Sequence, residues 1–252
     1  MGCQKSEQDR EICNGIMREA EKLILEHGVL SFPYTSIIKK NLCSARVFYK
    51  HFSSREDILV CTLMRRSITW DVEHFLAKNP DLSKKVQVFI PTLISLEISR
   101  VDPVYVSACL IANNSSVWQL ASEEKMRLLR MLDERYYKCI RDATRQAVDA
   151  GILEVTQEEC DALTDDLYYY CLGKLASVPL IITNYRPLAC LKKNEVQSLI
   201  SLTSHHNWKE AVTKEELEEA YKRVVDYFHD ARDGIDCERC IYIRETQEKV
   251  TH

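Results

Sequence analysis

Apolar residues recur along most of the chain at every third or fourth position, which is the period of an amphipathic α-helix. The first such segment has one apolar stripe, formed by Ile12, Ile16, Ala20, Leu23 and Ile24. Gly28 follows this stripe, at a place where glycine commonly ends a helix. Alternating patterns of the kind that predict β-strands are nearly absent. The pattern therefore predicts an all-α protein whose first helix runs from about Gln8 to His27.

Capping and breaking residues predict the later helices. Three segments fit the capping box, in which a hydroxyl and a carboxylate bond first-turn amides: Ser53–Glu56, Thr156–Glu159 and Thr213–Glu216. They predict helices over about 53–78, 157–183 and 214–231. Breaks at Gly, Pro and Asn predict other helices over about 35–41, 45–51, 82–100, 122–150 and 194–202. The helix over 82–100 contains Pro91 and is predicted to be kinked there. The tail from Ile235 to His252 is predicted to be loose.

The composition indicates a folded protein of ordinary size and a reducing compartment. The chain has 252 residues, 46% of them apolar, with six Gly, six Pro and a net charge of −4. This is enough to bury a core, and it excludes disordered and fibrous classes of protein. We see no apolar run long enough for a membrane span and no secretory signal. Most of the eleven cysteines stand singly in helical patterns, which predicts reduced, buried thiols in a cytoplasmic protein.

A cationic stretch stands out against the acidic balance of the whole chain. From His27 to Arg55 there are five lysines and arginines and no carboxylate, a charge of +5, so the rest of the chain carries −9. A basic patch on an acidic protein is typical of a surface that binds a polyanion. By itself such a run is more often a solvated face, so the arrangement of its residues matters.

The arrangement predicts a helix-turn-helix. The two short helices of this stretch are joined by residues 41–44, and Ser44 is a good N-cap for the second. Phe48 and Phe52 are four residues apart, so they share one face and can pack against the first helix. Arg46, Tyr49 and Lys50 then point away from that face. Arg46 stands in the first turn, which is the part of a recognition helix that contacts base edges.

The span from about Asp9 to Leu63 resembles the DNA-binding domain of the tetracycline-repressor (TetR) family. The resemblance is carried by Gly28, by Ile37, by C-S-A-R-V-F-Y-K-H-F from Cys43 to Phe52, and by the S-S-R-E-D-I-L that follows. It implies a helix-turn-helix DNA-binding domain over 1–55 and a helical domain for effector binding and dimerisation over 56–252. Proteins of this family are usually homodimers that bind palindromic operators in double-stranded DNA and repress transcription in the bacterial cytoplasm. A small-molecule effector in the second domain releases the DNA.

The resemblance also implies roles for individual residues. The base-facing candidates are Ala45, Arg46, Val47 and Lys50. The candidates for phosphate contacts or caps are Ser44, Tyr49, His51 and Arg55, and Thr35 belongs to the same predicted DNA-binding set. The sequence departs from the family pattern where Leu42 replaces a turn glycine, Ile38 an alanine and Val47 a threonine, and where Phe32-Pro33 replace a capping Ser or Thr. These departures leave the operator sequence open.

The rest of the chain yields candidates of a weaker kind. Amphipathic aromatic residues suit a ligand cavity, and the predicted contacts are Trp70, Tyr105, Trp118, Tyr137 and Tyr169. The alternative for each of them is ordinary core packing. The family resemblance implies a homodimer formed through helices 157–183 and 214–231. The apolar seam of the second helix can instead pack within one subunit.

Other function classes have some support. The opening MGCQKS fits a myristoylation pattern with Cys3 placed for a second acyl chain, which would suit a lipid-anchored adaptor. The alternative is an accidental match in a frayed terminus, because the pattern fixes only three positions. A regulator that responds to thiol oxidation could use some of the cysteines, including the pair Cys237 and Cys240. The C-x-x-C spacing of this pair is also half of a zinc site, and the alternative to both is chance spacing in the tail. The sequence lacks a Gly-rich phosphate loop, H-E-x-x-H and G-x-S-x-G, so we predict no enzyme and no catalytic residue. We also predict no cofactor, no metal site and no membrane partner.

Overall fold

The computed structural model describes residues 6–40, 43–112, 114–182 and 189–230. Their α-helices, in chain order, are α1 (Glu7–His27), α2 (Ala45–His51), α3 (Arg55–Arg65), α4 (Ile68–Lys78), α5 (Lys84–Gln87), α6 (Ile90–Val101), α7 (Pro103–Ala112), α8 (Ser115–Trp118), α9 (Glu123–Asp149), α10 (Gln157–Ile182), α11 (Ala189–Thr203) and α12 (Lys214–Asp230). A 3-10 helix, Tyr34–Lys40, lies between α1 and α2. These ranges contain no β-strand, and one isolated antiparallel bridge joins Leu153 to Trp208. The prediction of an all-α protein is confirmed for the described residues.

No helix in these ranges is both long enough and apolar enough to cross a membrane.

The described residues form two compact units. The first comprises residues up to 67 together with 102–133, and the second comprises 68–101 together with 134–230. The first unit thus combines the helix-turn-helix segment and α3 with α7, α8 and the start of α9. The boundary at residue 55 that the family resemblance implies would separate α1 from α3, which pack on each other. It stays a prediction.

The first unit has one hydrophobic core, built from the helix-turn-helix segment, α3 and α7. The largest fully buried side chains in it are Ile16, Met17, Ile37, Phe48, Phe52 and Ile58. Ser6 caps α1 by accepting a hydrogen bond from the Asp9 amide, and Gly28 ends the helix at φ 78°. Both ends of α1 therefore follow from local sequence. Four residues of the predicted apolar stripe are buried and Ile12 is partly buried, and the buried face also includes Cys13, Met17 and Glu21.

The predicted helix over 53–78 is wrong in its start and in its continuity. Ser54, and not Ser53, caps α3 by accepting from the Asp57 amide at 3.1 Å. The helix ends at Arg65, and α4 begins at Ile68. Neither Gly nor Pro marks this break. Arg66 stands at the end of α3 with its side chain drawn into an ion-pair network, and that long-range contact is invisible to a local pattern.

The predicted helix over 82–100 also divides. The short α5 ends at Gln87, and α6 begins at Ile90, so Pro91 lies in the first turn of α6. A proline in the first turn removes no helical hydrogen bond, because the amides there have no partner within the helix. The kink predicted at Pro91 is therefore replaced by a helix start.

In the second unit α4, α10 and α12 all pack on α6. The capping boxes that begin α10 and α12 are confirmed: the Thr156 amide donates to Glu159 at 2.7 Å and the Thr213 amide to Glu216 at 2.8 Å. The apolar seam of α12 is buried within the chain, with Leu217 and Val224 fully covered. The seam is thus packed inside one subunit, and the homodimer itself stays a prediction.

Candidate nucleic-acid interface

Helix α2 presents one face to the core and the opposite face to solvent. Ser44 begins the helix by accepting a hydrogen bond from the Val47 amide at 3.3 Å, as its predicted role as N-cap requires. Phe48 and Phe52 have 0% and 1% of their surface exposed, and their rings lie 6.0 Å apart in the core of the first unit. Two buried rings four residues apart fix the rotation of the helix, so the orientation of its other side chains is determined by packing.

The solvent face carries most of the predicted DNA-binding residues. Exposed on and beside α2 are Ser44, Ala45, Arg46, Tyr49 and Lys50. Tyr49 is 48% exposed, and the edge of its ring contacts the buried ring of Phe48. Among the described residues, Arg46 and Lys50 have no carboxylate within ion-pair distance. Their charges are therefore available to a polyanion.

Thr35 and Val47 lie at the margins of this face. Thr35 is exposed on the 3-10 helix, and Val47 is half-buried. On the same 3-10 helix, Lys40 pairs with Glu19 of α1 at 3.3 Å, whereas Lys39 has no such partner among the residues with described positions. Leu42, where a turn glycine would be usual, lies outside the described residues together with Asn41.

His51 faces α1 instead of solvent, although the family resemblance predicted a phosphate contact or cap. Its side chain is 11% exposed, and its Nε2 lies 3.6 Å from a carboxylate oxygen of Asp9, which is too long for a hydrogen bond. Burial lowers the pKa of His51, with Lys50 and Lys125 acting in the same direction, and Asp9 opposes the shift. A neutral, largely covered imidazole is poorly suited to grip a phosphate.

Arg55 is engaged within the chain, although it too was predicted to contact phosphate. Its Nη1 donates to the carbonyl oxygen of Leu30 at 2.5 Å, and its Nη2 pairs with Glu56 at 2.9 Å. These bonds tie the start of α3 to the segment that follows α1. A phosphate contact by Arg55 would have to compete with both bonds.

A buried carboxylate holds the start of α3 to the start of α9. Asp57 is 2% exposed, and its two oxygens accept hydrogen bonds from the amide and hydroxyl of Ser53 and from the amide and hydroxyl of Ser122 at 2.7–2.9 Å. Burial alone would raise the pKa of Asp57, but the bonds from Ser53 and Ser122 outweigh it and lower the pKa. Asp57 was not among the predicted site residues, because only its partner 65 residues along the chain reveals its role.

We expect Asp57→Asn to lower the free energy of unfolding of the first unit by about 1.5–3 kcal/mol at pH 7, since bonds to a charged group are lost. The folded-state pKa lies below the unfolded value of about 3.9. The contribution of the carboxylate is therefore complete above that pH and is lost as the pH falls through the folded-state pKa. Opening free energies from hydrogen–deuterium exchange of α1 and α3 amides at pH 7 and pH 3 should show the difference between wild type and variant shrinking at the lower pH.

Glu11→Gln is the matched control for this prediction, because Glu11 is exposed on α1. It should change the stability by less than about 0.5 kcal/mol at pH 7. A deficit of Asp57→Asn that stays constant from pH 7 to pH 3 would contradict the role of the ionised carboxylate.

A second polar network ties α1 to the end of α3 and to α7. Glu21 lies 2.9 Å from Nη2 of Arg66 and 3.4 Å from Nε of Arg65. Arg65, 1% exposed, also donates to Asn14 at 2.7 Å, and Arg66 pairs with Asp102. Burial would lower the pKa of Arg66, but Glu21 and Asp102 more than compensate and raise it. This network was not predicted, because its only local signal is an Arg-Arg pair inside an apolar segment.

The predicted ligand contacts are divided between the two units. Tyr105 and Trp118 belong to the first unit, where Tyr105 is buried and the Trp118 indole donates to the carbonyl of Ala112. In the second unit, Tyr137 donates to Asp165 at 2.8 Å, Trp70 stacks on His74, and Tyr169 is exposed. An open cavity of about 490 Å³ in that unit is lined by other residues, namely Tyr170, Gln197, Ser198, Ser201 and Leu202. The effector site stays a prediction.

Five of the described cysteines have a raised pKa and therefore form the thiolate less readily than an ordinary cysteine. Burial raises the pKa of Cys43, Cys160 and Cys171, and it raises the pKa of Cys109 and Cys139 to about 12. A thiol reacts with oxidants as the thiolate, so a raised pKa disfavours reaction at these five sites. The candidate lipid sites at Gly2 and Cys3, the pair Cys237 and Cys240, and the tail lie outside the described residues.

Compared with known proteins, the chain matches no protein-family model and no curated protein.

Proposed function

We propose that the protein is a DNA-binding regulator of transcription and that α2 is its recognition helix. The observation that carries the proposal is the two-faced character of α2. Phe48 and Phe52 are locked into the core, and this leaves Arg46, Tyr49 and Lys50 together on the solvent side. A positively charged helix face held rigidly by its buried side is suited to enter the major groove of DNA.

Each exposed residue type has a chemical task in this mechanism. Arg46 stands in the first turn and can bond O6 and N7 of a guanine through two parallel N–H groups. Lys50 and the Tyr49 hydroxyl can bond bases or phosphate oxygens on either side of it. The hydrogen bonds of Arg55 to Leu30 and of Asp57 to Ser122 fix the start of α3. Because α3 follows α2 directly, these bonds also restrain the end of α2.

We further propose a homodimeric repressor of the TetR type, released from DNA by a small-molecule effector bound in the C-terminal helical domain. The support for this part is the sequence resemblance over about Asp9–Leu63. Two copies related by a twofold axis would place two recognition helices in successive major grooves about one helical turn apart. An effector would act by binding the conformation that cannot span both half-sites more tightly than the one that can.

The first test is selection of binding sequences from a random duplex library at fixed salt, followed by sequencing. Because phosphate contacts dominate affinity and depend strongly on salt, the salt concentration must be constant throughout the selection. Enrichment of a palindrome supports both the recognition helix and the dimer. Enrichment of a single half-site supports the helix and contradicts the dimer. Weak, salt-sensitive binding without enrichment would overturn the proposal of sequence-specific regulation.

We expect Arg46→Ala to weaken binding to the selected sequence by about 1–3 kcal/mol and to relax the preference at one base position. The matched control is Lys39→Ala, which removes an exposed cation of the same patch from the 3-10 helix and should weaken all sequences alike. Fluorescence anisotropy on the selected duplex and on a scrambled duplex separates the two cases. An equal loss on both duplexes for Arg46→Ala would contradict its role in reading bases.

A further inference from the structure

The turn that follows α11 brings two histidines to the side of α10. His205 and His206 are adjacent in this turn, and Asp166 lies in the middle of α10. One ligand atom from each of the three side chains lies within 4.8 Å of the other two. The centroids of the two imidazole rings lie 4.0 Å apart, and the ring planes are tilted by 37°. The sequence separates Asp166 from the histidines by almost forty residues, and only the fold brings them together.

His206 also carries a polar atom with no partner in the chain as described. Its Nε2 is buried and accepts or donates no hydrogen bond. A buried ring nitrogen without a partner is costly in a folded protein and usually indicates a missing ligand or water.

The turn itself is firmly held. The Trp208 indole donates to the carbonyl of Thr203 at 3.0 Å, and its ring stacks on Phe89. The amide of Glu154 donates to Asn207, and that of Lys209 donates to Ile152, both at 2.9 Å. Contacts on both sides of the histidine pair therefore fix the backbone from which the two rings project, and such a frame lowers the entropy lost when a ligand is bound.

We propose that Asp166, His205 and His206 form a binding site for a divalent transition-metal ion of the Zn²⁺ type. Two imidazoles and one carboxylate are a ligand set that such ions prefer, whereas Mg²⁺ and Ca²⁺ prefer oxygen ligands alone. Ligands of Zn²⁺ lie roughly 2.0–2.2 Å from the ion, so the three ligand atoms must close to roughly 3–4 Å from one another. Rotation of the exposed His205 side chain can provide that movement.

With three protein ligands, the fourth position of a tetrahedral ion is left for water or for an exogenous ligand. The bound ion would join α10 to the turn after α11. It would thereby hold together two segments of the second unit that are distant in sequence. The proposal does not depend on DNA binding, and its test uses no DNA.

The experiment is a titration of the full-length, metal-free protein with Co²⁺ and then Zn²⁺, in a reductant that contains no thiol. Visible absorption reports the geometry and ligands of Co²⁺, and calorimetry gives the stoichiometry and affinity of Zn²⁺. We expect a site for one ion per chain with the weak absorption of nitrogen and oxygen ligands. We expect Asp166→Asn, His205→Ala and His206→Ala each to weaken binding by more than the roughly 10–100-fold that changes outside the ligand shell cost.

Two controls separate the site from ordinary surface binding and from misfolding. Asp165→Asn changes the neighbouring residue on α10, and His27→Ala removes an exposed histidine of α1, so neither should affect affinity by more than a few-fold. Because His205 is exposed, His205→Ala leaves core packing intact, and circular dichroism of each metal-free variant confirms the fold.

The eleven cysteines offer competing ligands, which the spectrum identifies. Thiolate ligands give Co²⁺ an intense charge-transfer absorption in the near ultraviolet that nitrogen and oxygen ligands do not give. A thiolate band together with unchanged affinity in all three ligand variants would overturn the proposal. It would also be overturned if the wild-type protein bound Zn²⁺ no more tightly than the His206→Ala variant.

Discussion

Phe48→Ala is expected to destabilise the first unit by about 3–5 kcal/mol, the usual cost of removing a fully buried phenylalanine ring. The Phe48 ring has none of its surface exposed and packs near the rings of Tyr34 and Phe52, with centroid distances of 6.5 Å and 6.0 Å. Its removal leaves a cavity in the layer on which α2 rests. Since Phe48 fixes the rotation of α2, the solvent face of that helix should lose its definition as well.

The neighbouring Tyr49 supplies a matched control on the same helix. Tyr49 is 48% exposed, so Tyr49→Ala should change stability by less than about 0.5 kcal/mol. If the proposed function is right, Tyr49→Ala weakens DNA binding on all sequences alike while the fold is unaffected. Two adjacent aromatic residues thus separate the packing role from the contact role.

Hydrogen–deuterium exchange is the suitable measurement, because the chain has two units and a single unfolding free energy would mix them. Amides of α1 and α3 report the opening of the first unit, and amides of α6 and α12 serve as an internal reference. Phe48→Ala should accelerate exchange in α1 and α3. Unchanged exchange there would show that the ring does not support the unit as its burial indicates.

The parts of this fold that the sequence predicts well are those determined by near neighbours. Ser44 caps α2 through the Val47 amide three residues on, and Gly28 ends α1 because its positive φ suits glycine. Phe48 and Phe52 are placed on a common buried face by helical spacing alone. For the same reason the solvent face of α2, with Arg46 and Lys50, follows from the spacing of its residues.

The parts that the sequence does not predict depend on partners far along the chain. His51 and Arg55 occupy positions where the family resemblance implies phosphate contacts, yet Asp9 and Leu30 draw them toward the protein itself. The break after α3 contains neither Gly nor Pro, so the local sequence does not predict it. The approach of the adjacent histidines to Asp166 arises only when α10 and the turn after α11 come together. In each case the decisive contact spans more than twenty residues.

Glu21→Gln is expected to destabilise the first unit by about 3 kcal/mol, the second-largest effect we anticipate. Glu21 has an 11% exposed side chain and compensates two guanidinium groups, those of Arg65 and Arg66. A buried ion pair adds little over an apolar replacement, but removing one partner leaves an uncompensated buried charge, which costs about 3–5 kcal/mol. Asp102 still pairs with Arg66 in the variant, so Arg65, which is 1% exposed, is the charge most affected.

Glu26→Gln on the same helix is the control, since the Glu26 side chain is 50% exposed and its contacts with Lys22 and His27 are long, at 4.0 Å each. Exposed pairs of this kind contribute about 0–1 kcal/mol, so exchange in α1 should barely change. High salt should reduce even that small effect and leave the deficit of Glu21→Gln nearly intact, because screening acts weakly on buried charges. If instead both variants lost similar stability and salt abolished both losses, the Glu21 network would be a surface feature. The attachment of α1 to α3 would then rest on the apolar core alone.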